Sequence, residues 1–152
     1  DLGTSAQRFK DLYLSGGVHL GGTGSANKLD YYEKGTFSPT LNLQSGNFSS
    51  TQTKNGNYVR IGDVVVCMCN INLSTHNGGT GTGVGWRVEG FPFTSMNVQG
   101  GAPSPIFQNN IGDVCGFGRI ENGSTNTMIF TSRINGIATD ANLFFTVIYL
   151  TA

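Results

Sequence analysis

The chain contains few charged residues. Only 12% of its 152 residues are Asp, Glu, Lys or Arg, and nine basic residues balance nine acidic ones. The basic residues are spread along the chain, which argues against a nucleic-acid partner because phosphate binding relies on clustered Lys and Arg. A surface rich in hydroxyls and amides instead suits partners that form neutral hydrogen bonds, such as carbohydrate, although structural β-proteins share this composition.

Long apolar segments are also missing. The strongest apolar run, LFFTVIYL at 143–150, has the length of a strand, whereas a membrane span needs about 20 residues. We therefore expect no membrane insertion. The chain begins with Asp1, without Met and without the pattern of a secretory signal, and we expect it to be a segment of a longer protein.

Cysteine and histidine are too scarce for a metal site. Cys67, Cys69 and Cys115 cannot all pair within one chain, and the first two share one face of a predicted strand, where their side chains diverge. We expect small, buried, free thiols, consistent with synthesis in a reducing cytoplasm. With only His19 and His76 in addition, the sequence predicts neither a metal nor a cofactor.

Glycine and aromatic residues are abundant, with 23 Gly, ten Phe and five Tyr. Residues 1–35 form a series of very short extended pieces between glycine pairs, and from residue 36 the predicted strands lengthen. These strands are FSPTLNL, NYVRIG, DVVVCMCNINL, GWRVEGF, DVCGFGRIE, TMIFTSR and LFFTVIYLT. Turn signals between them and the absence of a helical period predict an all-β fold, with an antiparallel, jelly-roll-like β-sandwich at 36–152.

Two strands are apolar on both faces. In DVVVCMCNINL, Val64, Val66 and Met68 face away from the cysteines, and in the last strand Phe144 and Ile148 face away from the predicted core. A two-layer sandwich buries only one face of each sheet, so the second face needs another cover. Another subunit is the simplest candidate for the cover of this second face.

The opening segment resembles the linker that precedes the terminal domains of tail fibres and tailspikes in tailed bacteriophages. That linker has the pattern LG-x-S-x-x-RFKDLYLSGGV-x-LGGTG-x-ANKLD-x-YE-x-GTF-x-P, which residues 2–39 match almost word for word. The stretch NYVRIGDVVVCMCNINL resembles the Y-x-x-IG-x-x-V strand pair of the distal domain, and GFPFTS resembles its G-[LF]-PF-[ST] turn. In some related fibres RFKDLYLS leads to a helical, self-cleaving domain, but no helix is predicted after residue 36.

The resemblance implies a homotrimer. Three chains around one axis could form an intertwined β-shaft from residues 1–35, with Leu12, Leu14, Val18 and Leu20 in a shared core. The glycine pairs at 16–17 and 21–22 would allow positive φ values and close approach at the crowded axis. Tyr31 and Tyr32 would mark the neck between this shaft and the tip.

No catalytic constellation is evident, and we expect the chain not to be an enzyme. His76 in a predicted loop and His19 in the shaft lack a neighbouring nucleophile. Paired carboxylates could cleave a glycan, and the available residues are Glu33, Glu89, Glu121, Asp63, Asp113 and Asp140. The sequence cannot place two of them at the required separation.

The candidate glycan contacts are exposed aromatic and amide residues of predicted loops. They are Trp86, Arg87, His76, Asn77, Phe48, Gln108, Asn109 and Asn110. Trp86 could offer its ring to a sugar and Arg87 could donate to hydroxyls or carboxylates. The alternatives are packing for Trp86 and turn formation for the amides and for the loop that carries Phe48. We assign Phe91 and Phe93 to the core.

These features predict the distal receptor-binding region of a phage tail fibre or tailspike, which would attach the virion to a host cell-surface polysaccharide or lipopolysaccharide. Trimer valency would strengthen weak single sites. Two alternatives stay open. One is a structural domain that trimerises and caps the fibre without a ligand, and the other is a depolymerase with carboxylates between subunits.

Overall fold

A computed structural model describes residues 4–43, 49–77, 86–97, 106–109, 116–120, 123, 127–131 and 141–152. These residues form eleven β-strands and one turn of 3₁₀ helix, with no α-helix in the described ranges. The chain divides into two compact units, Asp1–Tyr31 and Tyr32–Ala152. The predicted all-β, antiparallel fold class is confirmed.

The first unit contains a small hairpin. Strand β1 (Val18–His19) pairs antiparallel with β2 (Lys28–Leu29), and a 3₁₀ turn (Ser25–Asn27) lies between them. Asn27 extends the ladder by one rung, because its carbonyl accepts a hydrogen bond from the Leu20 N–H at 2.8 Å and its side-chain amide donates to the Leu20 carbonyl at 3.2 Å. The sequence had indicated only separate extended pieces here.

Two glycines make this hairpin possible. A Cβ added to Gly17 would lie 2.5 Å from the backbone oxygen of Leu29, a distance at which no side chain fits. Gly21 has a φ of 78°, a conformation that favours glycine. Gly16 has neither constraint, since nothing lies within 4 Å of its added Cβ. Within this single-chain hairpin, close approach therefore occurs at Gly17 and positive φ at Gly21, and the role of the glycine pairs at a trimer axis stays a prediction.

The second unit is one nine-stranded antiparallel sheet. Its strands are β3 (Tyr32–Phe37), β4 (Thr40–Leu43), β5 (Ser49–Ile61), β6 (Val64–Asn77), β7 (Trp86–Glu89), β8 (Ile106–Asn109), β9 (Gly116–Ile120), β10 (Thr127–Thr131) and β11 (Ala141–Leu150). Their order in the sheet is β3-β5-β6-β11-β8-β9-β10-β7-β4. The long central strands β5, β6 and β11 carry the most extensive pairing.

The sheet closes on its own core. Alternate residues of β6 and β11 are buried in one cluster with Leu41 of β4 and Val88 of β7. In the order of the sheet, however, β6 is the third strand from one end, and β7 and β4 are the last two strands at the other end. The sheet must therefore curl so that its two ends face each other. Cys67 and Cys69 are buried and free in this core, as predicted, and Cys115 lies outside the described residues.

Burial keeps the core thiols protonated. It raises the pKa of the Cys67 thiol to about 12 and shifts the pKa of Cys69 upward as well, because a thiolate is poorly solvated among apolar side chains. Burial also raises the pKa of Tyr149, whose ring packs in the same cluster.

One glutamine side chain joins the two ends of the curled sheet. Gln52 of β5 accepts a hydrogen bond from the Leu41 N–H at 3.0 Å and donates one to the Leu41 carbonyl at 2.8 Å. Its amide thus satisfies both peptide groups of a buried β4 residue, as a neighbouring strand would. Lys54 adds a second link by donating to the Thr40 hydroxyl at 2.9 Å.

Glycine and aromatic residues alternate across β3 and β5. Gly35 lies opposite Tyr58 and Phe37 lies opposite Gly56 in the ladder. Each ring covers the partner glycine, since a Cβ on Gly35 would lie 2.7 Å from the Tyr58 hydroxyl and a Cβ on Gly56 would lie 2.6 Å from the Phe37 ring. The Phe37 ring is thereby directed toward Phe91 of the core, at 5.7 Å between centroids.

The predicted GFPFTS turn packs against the C-terminal strand. Phe91 is buried and Phe93 packs against the core, which confirms the assignment of both residues. The Tyr149 hydroxyl donates to the Phe93 carbonyl at 3.0 Å and accepts from the Phe93 N–H at 3.3 Å. Thr151 then donates its hydroxyl to the Thr94 carbonyl and its N–H to the Asp63 carbonyl.

The strands differ from the predictions in several places. FSPTLNL is interrupted at Ser38 and buried Pro39, because proline has no N–H for a ladder. Strand β5 begins at Ser49, eight residues before the predicted NYVRIG strand, and β8 was not predicted. Residues 32–35, assigned to the neck from sequence, belong to β3 of the second unit.

Candidate functional site

The predicted loop residues lie mostly in strands. His76 and Asn77 end β6, opposite Ser50 and Ser49 of β5, and Gln108 and Asn109 belong to β8. The prediction that these four residues occupy loops is therefore wrong, because ladder pairing extends both strands beyond their apolar pattern. Phe48 and Asn110 lie outside the described residues.

Trp86 and Arg87 begin β7. Trp86 lies opposite Leu43 of β4 and Ile129 of β10 in the ladder. Arg87 points away from the face of buried Val88, and its guanidinium lies 3.9 Å from the carboxylate of Glu89. The Asn42 amide donates to the same carboxylate at 2.7 Å. Arg87 and Glu89 thus neutralise each other on a half-buried surface.

The first unit has no core of its own. From residue 4 to residue 31 only Gly17 is even partly buried. Its large apolar side chains are 38 to 91% exposed, and they are Phe9, Leu12, Tyr13, Leu14, Val18, Leu20, Leu29 and Tyr31. The four residues predicted for a shaft core are therefore all accessible in the single chain. Such a surface is unusual for a stable monomeric unit.

The outer face of the second unit is apolar at one end. Alternation places Val65 and Tyr149 in the core and turns their neighbours outward. The outward side chains of this end are 41 to 68% exposed, and they are Tyr32, Ile61, Val64, Met68, Ile148 and Leu150. The strand register brings them together, since Tyr32 lies opposite Ile61, Ile61 opposite Val64, and Val64 opposite Leu150. We call this group the apolar patch.

The other end of the same face is polar around one aromatic ring. Asn55, Asn70, Phe144 and Gln108 form a continuous row across β5, β6, β11 and β8, each opposite the next in the ladder. Phe144 is 45% exposed, and Asn70 is half-buried beside it. The Oδ1 atom of Asn70 is shielded from water and accepts no hydrogen bond from the described residues. We call these four residues the amide row.

A third cluster lies where β3 and β5 meet the GFPFTS turn. The Tyr58 hydroxyl donates to Glu33 Oε1, and this hydrogen bond raises the pKa of the Tyr58 phenol. The Tyr58 ring meets Phe93 edge to face at 5.3 Å, and the Arg60 guanidinium lies 5.0 Å from the centre of the Phe93 ring. These contacts form a network that fixes the turn to the sheet edge.

Of the six carboxylates proposed for glycan cleavage, Glu33 and Glu89 are engaged in separate contacts, and Asp63 is exposed in the turn between β5 and β6. Glu33 accepts from Tyr58, while Glu89 binds Asn42 and Arg87 on β4 and β7. Glu121, Asp113 and Asp140 lie outside the described residues. No group of three or more His, Cys, Asp or Glu residues with metal-binding geometry occurs in the described part of the chain.

Comparisons with protein-family models, curated proteins and solved structures find no match to this chain. Among the described residues, no helix is long and apolar enough to cross a membrane.

The amide row was missed from sequence except for Gln108. The signal was present, because Phe144 falls out of phase with Leu143 and Phe145 of the core, and Asn70 and Asn72 break the outward apolar series of β6. Only the strand pairing shows that Asn70 and Phe144 are neighbours.

Proposed function

We propose that this chain is the distal portion of a tailed-bacteriophage tail fibre or tailspike, where three copies associate and attach the virion to a host cell-surface glycan. The first unit would contribute to an intertwined trimeric β-shaft, and the second would form a jelly-roll-like tip. The resemblance of residues 2–39 to the fibre linker supports the class of protein. The location would be the tip of the fibre in the virion.

The exposed apolar side chains of the first unit are the main support for a homotrimer. The first unit exposes eight large apolar side chains and buries none in the described range, so it cannot be stable as an isolated monomeric element. Other copies of the same chain would offer the same apolar side chains at matching positions around one axis. A shared core built from Leu12, Leu14, Val18 and Leu20 would satisfy this requirement.

The apolar patch supports the same assembly in the second unit. Its six residues expose an area on the order of 600 to 700 Å², close to the roughly 800 Å² that each partner contributes to a stable interface. No charged side chain belongs to the patch, and Lys34 lies at its edge on strand β3. Burial of such a surface against another copy would stabilise the assembly through the hydrophobic effect.

Glycan recognition is supported by the neutral, amide-rich surface. The chain has no net charge, and the amide row presents hydrogen-bonding groups without a charged residue. Weak binding by each copy would be amplified by the three copies of a trimer and by several fibres on one virion.

The function can be tested with the labelled full chain on immobilised lipopolysaccharides and capsular polysaccharides from a panel of bacteria. We expect binding to a small subset and competition by the same polysaccharide in solution. A trimer that binds none of them would favour the structural capping domain. Release of new reducing ends from a bound polysaccharide would instead favour the depolymerase.

Dependence on the assembly is tested with Leu14→Asp, which places a charge in the predicted shaft core. We expect loss of the trimer and of polysaccharide binding. Lys10→Asp introduces the same charge at a side chain that is 95% exposed, and it serves as the matched control. Equal mass and equal binding for the two variants would contradict the proposed shaft.

A further inference from the structure

The amide row has the features of a binding platform rather than of a packed surface. Phe144 and Asn70 are opposite residues of β11 and β6, and Asn55 and Gln108 extend the row on either side. Neighbouring strands lie about 4.8 Å apart, so the row spans roughly 14 Å across four strands on the outer face of the sheet. That length matches a short oligosaccharide rather than a single small ion.

The exposed ring supplies the apolar part of such a platform. Phe144 is 45% exposed, and its strand neighbours Phe145 and Leu143 are buried on the opposite face. The core therefore does not need the Phe144 ring. An aromatic face lying open on a sheet can stack against the C–H face of a sugar ring, which is apolar in its centre and polar at its rim.

The amides supply the polar part. A sugar hydroxyl both donates and accepts hydrogen bonds, and an amide side chain offers both functions without charge. The Oδ1 atom of Asn70 has no donor among the described residues, and an acceptor left unpaired away from water is destabilising. The Asn70 side chain as a whole is half-buried, so part of it lies open on this face of the sheet.

The surrounding residues exclude charged ligands as the preferred class. On one side of the amide row, Asn57 and Thr146 flank Met68. On its other side, Thr53 lies opposite Asn72. None of these residues carries a charge, so no neighbour of the row in the described part of the chain compensates an acidic sugar or a phosphate. Neutral hexose or N-acetylhexosamine units fit this chemistry better.

The platform adjoins the apolar patch at Met68, two residues from Asn70 on β6, but it lies far from the other end of the patch. Leu150 follows Phe144 by six positions on β11, which corresponds to about 20 Å along the strand. A neighbouring copy that covers the Tyr32 and Leu150 end would therefore leave Phe144 accessible. One face of the sheet can serve both purposes.

We infer that the amide row, centred on Phe144 and Asn70, is the site at which the chain binds neutral oligosaccharide. This inference rests on the proposed function and names the site within the tip. Phe144 would stack on one sugar ring, while the Asn70 and Asn55 amides would bind the hydroxyls of the same and adjacent rings.

The inference is tested by saturation-transfer NMR and calorimetry on the full chain with four probes: maltohexaose, laminarihexaose, chitohexaose and galactohexaose. The variants are Phe144→Ala, Asn70→Ala and the control Lys34→Ala, an exposed residue of β3 outside the row. We expect at least one probe to bind at millimolar affinity, at least a tenfold loss for Phe144→Ala, a threefold or greater loss for Asn70→Ala, and no change for Lys34→Ala.

Three results would overturn the inference, and they separate it from the proposed function. Unchanged binding by both variants, with wild-type mass, would place the glycan site elsewhere and leave the receptor-binding role intact. Loss of the trimer in Phe144→Ala would identify the row as a subunit interface. Absence of binding by the wild-type chain to these probes and to every bacterial polysaccharide would reject both the site and the receptor-binding role.

Discussion

The Gln52 side chain forms both hydrogen bonds that a neighbouring strand would make to Leu41. Leu41 is fully buried, and its N–H and carbonyl have Gln52 as their partner at 3.0 and 2.8 Å. A single amide therefore joins β5 to β4 where the curled sheet closes. Removal of this amide should weaken the contact between β4 and β5 beside the core.

Gln52→Leu should destabilise the chain by about 2 to 4 kcal/mol, because two hydrogen bonds are lost and two buried peptide groups stay unpaired. Urea unfolding at pH 7 and fixed chain concentration measures this loss. Thr53→Ala, on the exposed face of the same strand, is the control and should change stability by less than about 0.5 kcal/mol. Equal midpoints for the two variants would mean that Gln52 does not hold the closure.

Gln52→Glu keeps the shape but changes the hydrogen bonding. An ionised carboxylate accepts from the Leu41 N–H but faces the Leu41 carbonyl without a proton to donate, so folding should raise its pKa. The lost stability should therefore return as the pH falls from 7 to 4, when the carboxyl is protonated. A variant whose deficit relative to the wild type is the same at both pH values would contradict this explanation.

The sequence predicts the long, apolar strands well and the polar ones poorly. The alternation in β6 and β11 indicates their buried faces, because hydrophobic burial selects the period of two. The first half of β5, SSTQTKN, has no such alternation, and it becomes a strand through pairing with β6 and through the contact of Gln52 with β4. Contacts between such distant segments produce no local sequence pattern from which the strand could be predicted.

Gly17→Val should prevent the first unit from forming, whereas Gly16→Val should be tolerated. The added side chain at position 17 would clash with the backbone oxygen of Leu29, which cannot move without breaking the hairpin, at a cost of about 3 kcal/mol or more. Size-exclusion chromatography of the two soluble variants checks this. A Gly17→Val chain that elutes as the wild-type trimer would defeat the proposed role of the glycine.

Gly56→Ala should displace the Phe37 ring, because the new methyl group would lie 2.6 Å from that ring. The expected loss is about 1 to 3 kcal/mol, as for other overpacked sites, since the ring also packs against Phe91. Thermal unfolding compares this variant with Asn57→Ala, an exposed neighbour that should stay within about 0.5 kcal/mol of wild type. An unfolding temperature of Gly56→Ala equal to that of the wild type would show that the position of the Phe37 ring does not depend on a glycine at residue 56.

Stability should fall as the pH rises above about 9. The folded chain holds the Cys67 thiol neutral up to a pKa of about 12, whereas an exposed thiol ionises near 9. Ionisation therefore stabilises the unfolded chain relative to the folded chain in that window, by at most about 1.4 kcal/mol per pH unit for each group. Cys69 and Tyr149 act in the same direction, because burial raises the pKa of both. Urea midpoints between pH 8 and 11 measure the decline.

A matched variant isolates the thiol contribution. Cys67→Ala removes one of the titrating groups and should make the decline between pH 9 and 11 shallower, even if its stability at pH 8 is lower. An unchanged pH profile in this variant would contradict a role for the Cys67 thiol. Cys115→Ser is the control for the third cysteine.

The candidate site could be predicted only in part. The amide-rich composition indicates carbohydrate as a ligand, and Gln108 was selected among the candidates from its sequence. Phe144 was assigned to a subunit-covered face because an apolar residue out of phase with the core predicts burial elsewhere. The proximity of Phe144 to Asn70 depends on the register of β6 and β11, which is set by the whole sheet.

The most direct test of the account is the solution mass of the full chain, measured by light scattering across a range of concentrations. Coverage of the exposed apolar residues by other copies predicts a species of three times 16.1 kDa. A monodisperse species of 16.1 kDa at every concentration would contradict the account, since the apolar side chains of both units would then stay in contact with water.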